Sequence, residues 1–122
     1  MSPRLAGKRV FLAEDEALVA LDIEMTLSAE GCEVIGPVAR LERALDLAGR
    51  ETFDLAVLDV LLGRDEIYPL AAMLSERGVP FVFHSGHGDP AALNAAFPNA
   101  GFVRKPCSPL SLIEALGAVA EG

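Results

Sequence analysis

Short apolar runs alternate along the chain with longer segments whose apolar residues recur at helical spacing. Five of these runs predict β-strands, at residues 10–13, 34–35, 55–58, 81–83 and 102–103. The third run is apolar at every position, which is typical of a parallel strand with both faces buried. Strands that alternate with helical segments predict a parallel sheet with helices on both faces.

Apolar residues three and four positions apart mark the helical segments between the strands. These sets are Leu18, Leu21 and Met25; Leu41, Ala44, Leu45 and Ala48; Leu70, Met73 and Leu74; and Leu112, Ile113, Leu116 and Val119. The fourth helical segment differs, because glycine and proline at both of its ends leave only residues 91–97 for a helix. The pattern therefore predicts an α/β fold, a doubly wound five-stranded parallel sheet of (βα)5 order whose fourth helix is short or loosely held.

Composition and charge are those of a compact acidic domain. The 122 residues are 52% hydrophobic, which suits one domain over residues 1–122 with a packed core. Because 10 basic residues stand against 18 acidic ones, the net charge is −8, and we expect neither a nucleic-acid partner nor a membrane partner. Cys32 and Cys107 form no metal-binding pair and are expected to be reduced thiols. No signal peptide and no run of the ~20 apolar residues that span a membrane is visible, so we expect a cytoplasmic protein.

Polar side chains follow the predicted strands at their carboxyl ends, where open parallel sheets bind their ligands. They are Glu14, Asp15 and Glu16 after the first strand, Asp59 after the third, Ser85 after the fourth, and Lys105 after the fifth. Carboxylates from two strands repel one another at one edge unless a cation neutralises them, and Mg²⁺ prefers such oxygen ligands. A carboxylate fixed beside Mg²⁺, here Asp59, can accept a phosphoryl group as an acyl phosphate, with Lys105 and Ser85 at its oxygens.

Three segments carry a resemblance to a known family: VFLAEDE at residues 10–16, LAVLDVLLG at 55–63 and FVRKP at 102–106. With this combination the chain resembles, over nearly its whole length, the receiver domain of two-component response regulators, which has the CheY-like, flavodoxin-like fold. The segment VPFVFHSGHG at residues 79–88 is also similar to the PFxFATGxG motif of the stand-alone "FAT GUY" receivers. His84 and Ser85 stand here in place of alanine and threonine.

The resemblance implies roles at the sheet edge. Asp59 would be the phosphoacceptor, and Lys105 would contact the phosphoryl group. Mg²⁺ would be bound by Asp59 and directly by Asp15, by Glu14 through a water molecule, and by the backbone carbonyl of Leu61.

The resemblance also implies a switch and partners. Ser85 would be the switch hydroxyl, Phe102 the switch aromatic residue, and a cis peptide to Pro106 would hold Lys105. A histidine kinase or histidine phosphotransfer protein would donate the phosphoryl group. A downstream protein would bind the face of the fourth helix, fifth strand and fifth helix. Such a domain assists its own phosphorylation and is not an enzyme with a separate substrate.

Other interpretations make different demands on the sequence. A phosphatase of the haloacid-dehalogenase type needs a second aspartate two residues after the nucleophile, where this chain has Leu61. A flavodoxin needs a phosphate-binding loop at the acidic residues 14–16. A phosphate sink, or a degenerate receiver that only binds proteins, stays open. His84 and His87 have the spacing of a metal-binding pair, but with no third ligand nearby in sequence a solvated loop is favoured.

Overall fold

Seven strands and five helices form the described part of the chain, residues 4–86 and 88–121 of a computed structural model. The strands are β1 (Arg9–Ala13), β2 (Glu33–Val38), β3 (Leu55–Leu58), β4 (Leu61–Leu62), β5 (Asp65–Glu66), β6 (Phe81–Ser85) and β7 (Gly101–Arg104). The helices are α1 (Ala17–Ala29), α2 (Leu41–Arg50), α3 (Tyr68–Arg77), α4 (Pro90–Ala96) and α5 (Pro109–Glu121). Five strands form a parallel sheet in the order β2-β1-β3-β6-β7, which confirms the predicted fold.

Side chains alternate between the two faces of this sheet and form two cores. Phe11, Leu58 and Phe83 lie in the core on the side of α2, α3 and α4. Leu12 and Val57 lie in the core on the side of α1 and α5. Because the sheet is covered on both faces, its functional groups are restricted to the strand ends and the loops that follow them.

A small hairpin after β3 was not predicted. Strands β4 and β5 pair antiparallel, with Leu61 opposite Glu66 and Leu62 opposite Asp65. Gly63, at a φ of 64°, lies in the turn between them. Two-residue strands are too short to show a periodic pattern, so the sequence carried no sign of this hairpin.

The predicted apolar stripe of α1 is on the wrong face. Leu18, Leu21 and Met25 are exposed, and 82% of the Leu18 surface is accessible. The residues that α1 buries are instead Ala20, Ile23 and Leu27. By contrast, the faces predicted for α2, α3 and α5 do pack inward. Helix α1 is apolar on both of its faces, and the second apolar face remains uncovered in the described structure.

Helix α4 is short, as predicted, with seven residues. The Asp89 carboxylate caps it by accepting a hydrogen bond from the backbone N–H of Ala91 at 3.0 Å. Leu93 is its buried residue, and the ring of Phe97 at its end packs against those of Phe81 and Phe83. No helix in the described ranges is both long and apolar enough to cross a bilayer.

Candidate phosphoacceptor and metal site

Strand register places Glu14 and Asp59 side by side at the carboxyl edge of the sheet. Ala13 of β1 pairs with Leu58 of β3, and each acidic residue follows its paired residue directly. The backbone N–H of Asp59 donates to the carbonyl of Ala13 at 3.0 Å, which continues the pairing into the site. Both residues are nearly inaccessible, at 3% for Glu14 and 4% for Asp59. Two carboxylates are therefore held together in a partly dehydrated place, where their mutual repulsion is strong.

Lys105, which follows β7, supplies the cation that holds these carboxylates together. Its Nζ lies 2.8 Å from Oδ2 of Asp59 and 2.9 and 3.0 Å from the two carboxylate oxygens of Glu14. The same ammonium lies 3.2 Å from Oε1 of the exposed Glu16. The peptide bond from Lys105 to Pro106 is cis, as the resemblance implies. One ammonium group is thus shared by three carboxylates that bear up to three negative charges.

This sharing shifts the ionisation of the three groups in different directions. Burial by itself raises the pKa of the Glu14 carboxyl, but the nearby His84 imidazole and Lys105 ammonium reverse this and lower the pKa to about 2. Burial and the neighbouring Glu14 charge raise the pKa of Asp59, although Lys105 opposes them. Burial opposes the charge on Lys105, but its bonds to Asp59 and Glu14 raise its pKa above the ordinary value. The net effect is therefore opposite at the two buried carboxyls: the folded site lowers the pKa of Glu14 and raises that of Asp59.

A divalent cation fits the donor set at this edge. Carboxylate oxygens of Glu14, Asp15, Glu16 and Asp59 all lie within 4.8 Å of one another. Hard oxygen donors of this kind, with net negative charge, are what Mg²⁺ selects. Three of the four were predicted as ligands, and Glu16 was not, because it also suits the solvated start of α1.

Backbone N–H groups of the loop after β3 orient two of these carboxylates. The N–H of Gly63 donates to Oδ2 of Asp15 at 2.8 Å, and the N–H of Leu61 donates to Oδ1 of Asp59 at 3.3 Å. The loop from Leu61 to Gly63 therefore lies against the acidic cluster, where a backbone carbonyl is also available. The Leu61 side chain, partly buried, brings no hydrogen-bonding group to this loop.

The two predicted switch residues lie at different depths. Ser85 is fully buried at the end of β6, and its carbonyl accepts the backbone N–H of Lys105 at 3.1 Å. Phe102 of β7 is partly buried, and the guanidinium carbon of Arg104 lies 5.4 Å from the centre of its ring. Ser85 is thus joined to Lys105 through the backbone, whereas Phe102 packs against the core on the side of α2, α3 and α4.

The solvated loop predicted for His84 is wrong. This residue lies within β6 with 4% of its surface accessible, and its Nδ1 is 3.8 Å from Oε1 of Glu14. The predicted strand ends at the last apolar residue, Phe83. In the structure the strand continues through two polar residues, and all five residues of FVFHS are buried. His87, the other member of the proposed pair, falls outside the described residues.

A cavity of about 510 Å³ opens beside the acidic site, between α1 and the loop from Lys105 to Pro109. Its apolar wall includes Leu18, Ile23 and Leu112, and Glu16, His84 and Lys105 border it on the side of the acidic site. The exposed Leu18 of α1 therefore borders a cavity that extends to the acidic site.

Residues 10–117 match the family described as response regulator receiver domain. A curated relative, the transcriptional regulatory protein PdtaR of Mycobacterium tuberculosis, is 37% identical over 76 residues, and this match covers 62% of the present chain and 37% of PdtaR. The crystal structure of a response regulator receiver protein from Sinorhizobium medicae WSM419 superposes with a TM-score of 0.85 at 24% identity, over 97% of this chain and 98% of that one. The solution structure of SdrG from Sphingomonas melonis Fr1 gives a TM-score of 0.78 at 29% identity, over 98% of each chain.

Proposed function

Because this chain belongs to the response regulator receiver family, we propose that it accepts a phosphoryl group on Asp59 from a histidine kinase or histidine phosphotransfer protein in the bacterial cytoplasm. The observation that carries the proposal is the contact of Lys105 Nζ with both Asp59 and Glu14 inside a cluster of four carboxylates. A buried nucleophilic carboxylate, a mobile cation and hard metal ligands are the groups that phosphoryl transfer needs. We assign the whole of residues 1–122 to this one domain.

The transfer joins one Asp59 carboxylate oxygen to phosphorus while the bond from phosphorus to the donor's histidine nitrogen breaks. The electron pair of that bond returns to the imidazole, and an acyl phosphate forms on Asp59. Asp59 is favoured as nucleophile because burial and the charge of Glu14 make its free carboxylate costly. The reaction turns that carboxylate into part of a mixed anhydride, so the carboxyl group itself loses its charge, and the Lys105 ammonium can then contact the new phosphoryl oxygens.

Mg²⁺, when bound, would lower the charge repulsion between the incoming phosphoryl group and the carboxylates. We propose that Asp15, Asp59 and the backbone carbonyl of Leu61 hold it directly and that Glu14 holds it through a water molecule. The 2.8 Å bond from the Gly63 N–H to Asp15 fixes the orientation of one of these ligands before the ion arrives.

We propose that the phosphoryl group then acts on the face of α4, β7 and α5, where a downstream protein would bind. The Ser85 hydroxyl would move toward the phosphoryl oxygens and carry the start of the β6–α4 loop with it. Phe102 would turn into the space that this movement leaves, and its contact with Arg104 would break. This is an order change of the kind that phosphate switches use.

The exposed face of α1 is where we propose that the phosphodonor protein docks. Leu18, Leu21 and Met25 expose apolar surface, and the cavity below Leu18 reaches Lys105. Exposed apolar surface beside a reactive group is typical of a protein-binding site. We expect Leu18→Ser to slow phosphorylation by a cognate kinase about tenfold and to leave labelling by acetyl phosphate unchanged. Ala72→Ser, an exposed change on α3 across the sheet, is the matched control.

Intact-mass measurement after incubation with acetyl phosphate and Mg²⁺ tests the phosphoacceptor. We expect one added phosphoryl group on the native chain and on Asp65→Asn, an exposed control, and none on Asp59→Asn. Labelling that persists in Asp59→Asn would place the acceptor elsewhere. Phosphotransfer profiling against all histidine kinases of the source organism would then show the donor, and reverse transfer would show whether the chain drains a relay.

A further inference from the structure

His84 presents an unsatisfied polar atom to the acidic site. Its Nδ1 is buried and has no hydrogen-bond partner within the described part of the chain. Oε1 of Glu14, 3.8 Å away, also lacks one, although Lys105 Nζ lies 2.9 Å from it in a direction that makes no hydrogen bond. Buried polar atoms are rarely left unpaired, and these two lie close enough for a small movement to join them.

Strand register explains why His84 faces Glu14. Ala13 pairs with Leu58, and Leu58 pairs with Phe83, so three polar residues follow in a row across β1, β3 and β6. They are Glu14, Asp59 and His84. Each comes two residues after a member of the core beneath α1 and α5, and strand alternation therefore directs all three to that side.

The number of carboxylates that contact Lys105 indicates when Glu14 would need a hydrogen bond from His84. Its ammonium has three protons and contacts three carboxylates, on Asp59, Glu14 and Glu16. A cation bound by these carboxylates, or a phosphoryl group on Asp59, would compete for the contacts of Lys105 and so would weaken its hold on Glu14. Oε2 of Glu14 then keeps the backbone N–H of Glu16, which donates to it at 3.1 Å, but the nearly inaccessible Oε1 has no such donor and needs one.

His84 does not itself belong to the metal cluster. The carboxylates that lie within 4.8 Å of one another are those of Glu14, Asp15, Glu16 and Asp59, and the imidazole is not among them. Its route to the cation is therefore through Glu14. A neutral imidazole that carries its proton on Nδ1 donates to a carboxylate and can fix the direction in which that carboxylate points.

We propose that His84 is a positioning residue that donates from Nδ1 to Oε1 of Glu14 when a divalent cation is bound, and so orients Glu14 toward the cation. This inference rests on the proposed metal site but not on phosphorylation of Asp59. Ligand-orienting partners of this kind change metal affinity by about 10- to 100-fold. A closing movement of less than 1 Å in the 3.8 Å separation brings the two atoms within hydrogen-bond distance.

Two substitutions separate the donor from the shape of the side chain. Asparagine places an N–H near the position of Nδ1, whereas leucine fills the space without a donor. Calorimetric titration with Mg²⁺ alone should give a dissociation constant about tenfold higher for His84→Leu than for the native chain. His84→Asn should stay within about threefold of the native value. Equal affinity in His84→Leu, or equal losses in both variants, would overturn the proposal.

A measurement on the unsubstituted site covers the case in which His84→Leu does not fold. The chain has two histidines, so a His87→Gln variant identifies the ¹⁵N resonances of His84. With saturating Mg²⁺ we expect the proton on Nδ1, in a hydrogen bond to a carboxylate. A proton on Nε2 alone would refute the role of His84. Since neither measurement needs phosphate, loss of labelling at Asp59 would count against the proposed function and not against His84.

Discussion

Lys105 Nζ lies 2.8 Å from Oδ2 of Asp59, although the two residues are 46 positions apart in the chain. Strand β6 separates β3 from β7 in the sheet, so the lysine side chain must reach across a neighbouring strand end. The same ammonium holds Glu14 at 2.9 Å. Any change of charge on Asp59 therefore redistributes the partners of Glu14 as well, and the first two predictions follow from this coupling.

Asp59→Asn should stabilise the metal-free protein. The raised pKa of Asp59 means that its carboxylate is disfavoured in the folded state, and Lys105 keeps Glu14 as a partner when that charge is removed. We expect a gain of about 1 kcal/mol in the free energy of unfolding in urea with a chelator present. Saturating Mg²⁺ should reverse the order, because it binds the native cluster more tightly. A less stable Asn variant without metal would contradict this.

The Glu14 carboxyl should make the free energy of unfolding fall as the pH is lowered. Its pKa falls from 4.5 to about 2 on folding, so its stabilising effect is complete above pH 4.5 and is lost as pH falls toward 2. The comparison is made in an Asp59→Asn background, which removes the opposing titration of Asp59. Between pH 6 and pH 3 that protein should lose about 2 kcal/mol more than its Glu14→Gln derivative. Parallel pH profiles of the two urea midpoints would show that Glu14 is not the source.

Leu61→Asn should shorten the life of the acyl phosphate. Hydrolysis needs an aligned water molecule, and the apolar Leu61 side chain offers no hydrogen bond to one. The backbone N–H of Leu61 donates to Oδ1 of Asp59 at 3.3 Å, so this residue adjoins the proposed acceptor. We expect loss of phosphate about tenfold faster in Leu61→Asn, measured by intact mass over time, and an unchanged rate in Leu61→Met. If Leu61→Asn and the native chain lose phosphate at the same rate, a group other than residue 61 positions the attacking water.

Amide exchange should reveal a loosely held α4. A seven-residue helix is not stable by itself, and Leu93 is its buried contact. Addition of beryllofluoride, which imitates the phosphoryl group, together with Mg²⁺ should slow exchange at residues 88–101. The amides of α2 serve as an internal control and should not change. Protection that is already high without beryllofluoride, and stays so, would leave the phosphoryl group to act by charge alone.

Two glycines should respond in opposite directions to alanine. Gly36 has a φ of 112°, and a Cβ there would lie 2.6 Å from the carbonyl oxygen of Leu12. We expect Gly36→Ala to cost at least about 2 kcal/mol of unfolding free energy. Gly49 lies in α2 with open space around it, so Gly49→Ala should add up to about 1 kcal/mol. Urea unfolding of both variants measures the two changes in free energy. Changes of the same sign and size would contradict the prediction.

The buried face of helix α1 could not be predicted from the spacing of its apolar residues. Its apolar residues lie on both faces, so neither face stands out as the buried one. The choice of Ala20, Ile23 and Leu27 over Leu18, Leu21 and Met25 is made by contact with β1, β2 and α5. In α2, charged residues mark the outer face, and there the sequence alone was sufficient.

The fold class and the position of the candidate site can be predicted from the order of residues alone. The order of apolar runs requires parallel strands, and parallel strands bring Glu14, Asp15, Asp59 and Lys105 to one edge whatever the details of packing. The contacts of each side chain, by contrast, are known only from the three-dimensional structure. Glu16 joins the cluster because Lys105 reaches it, and His84 faces Glu14 because register aligns β1, β3 and β6. Such contacts depend on strand order and side-chain direction, which a linear pattern of apolar and polar residues does not contain.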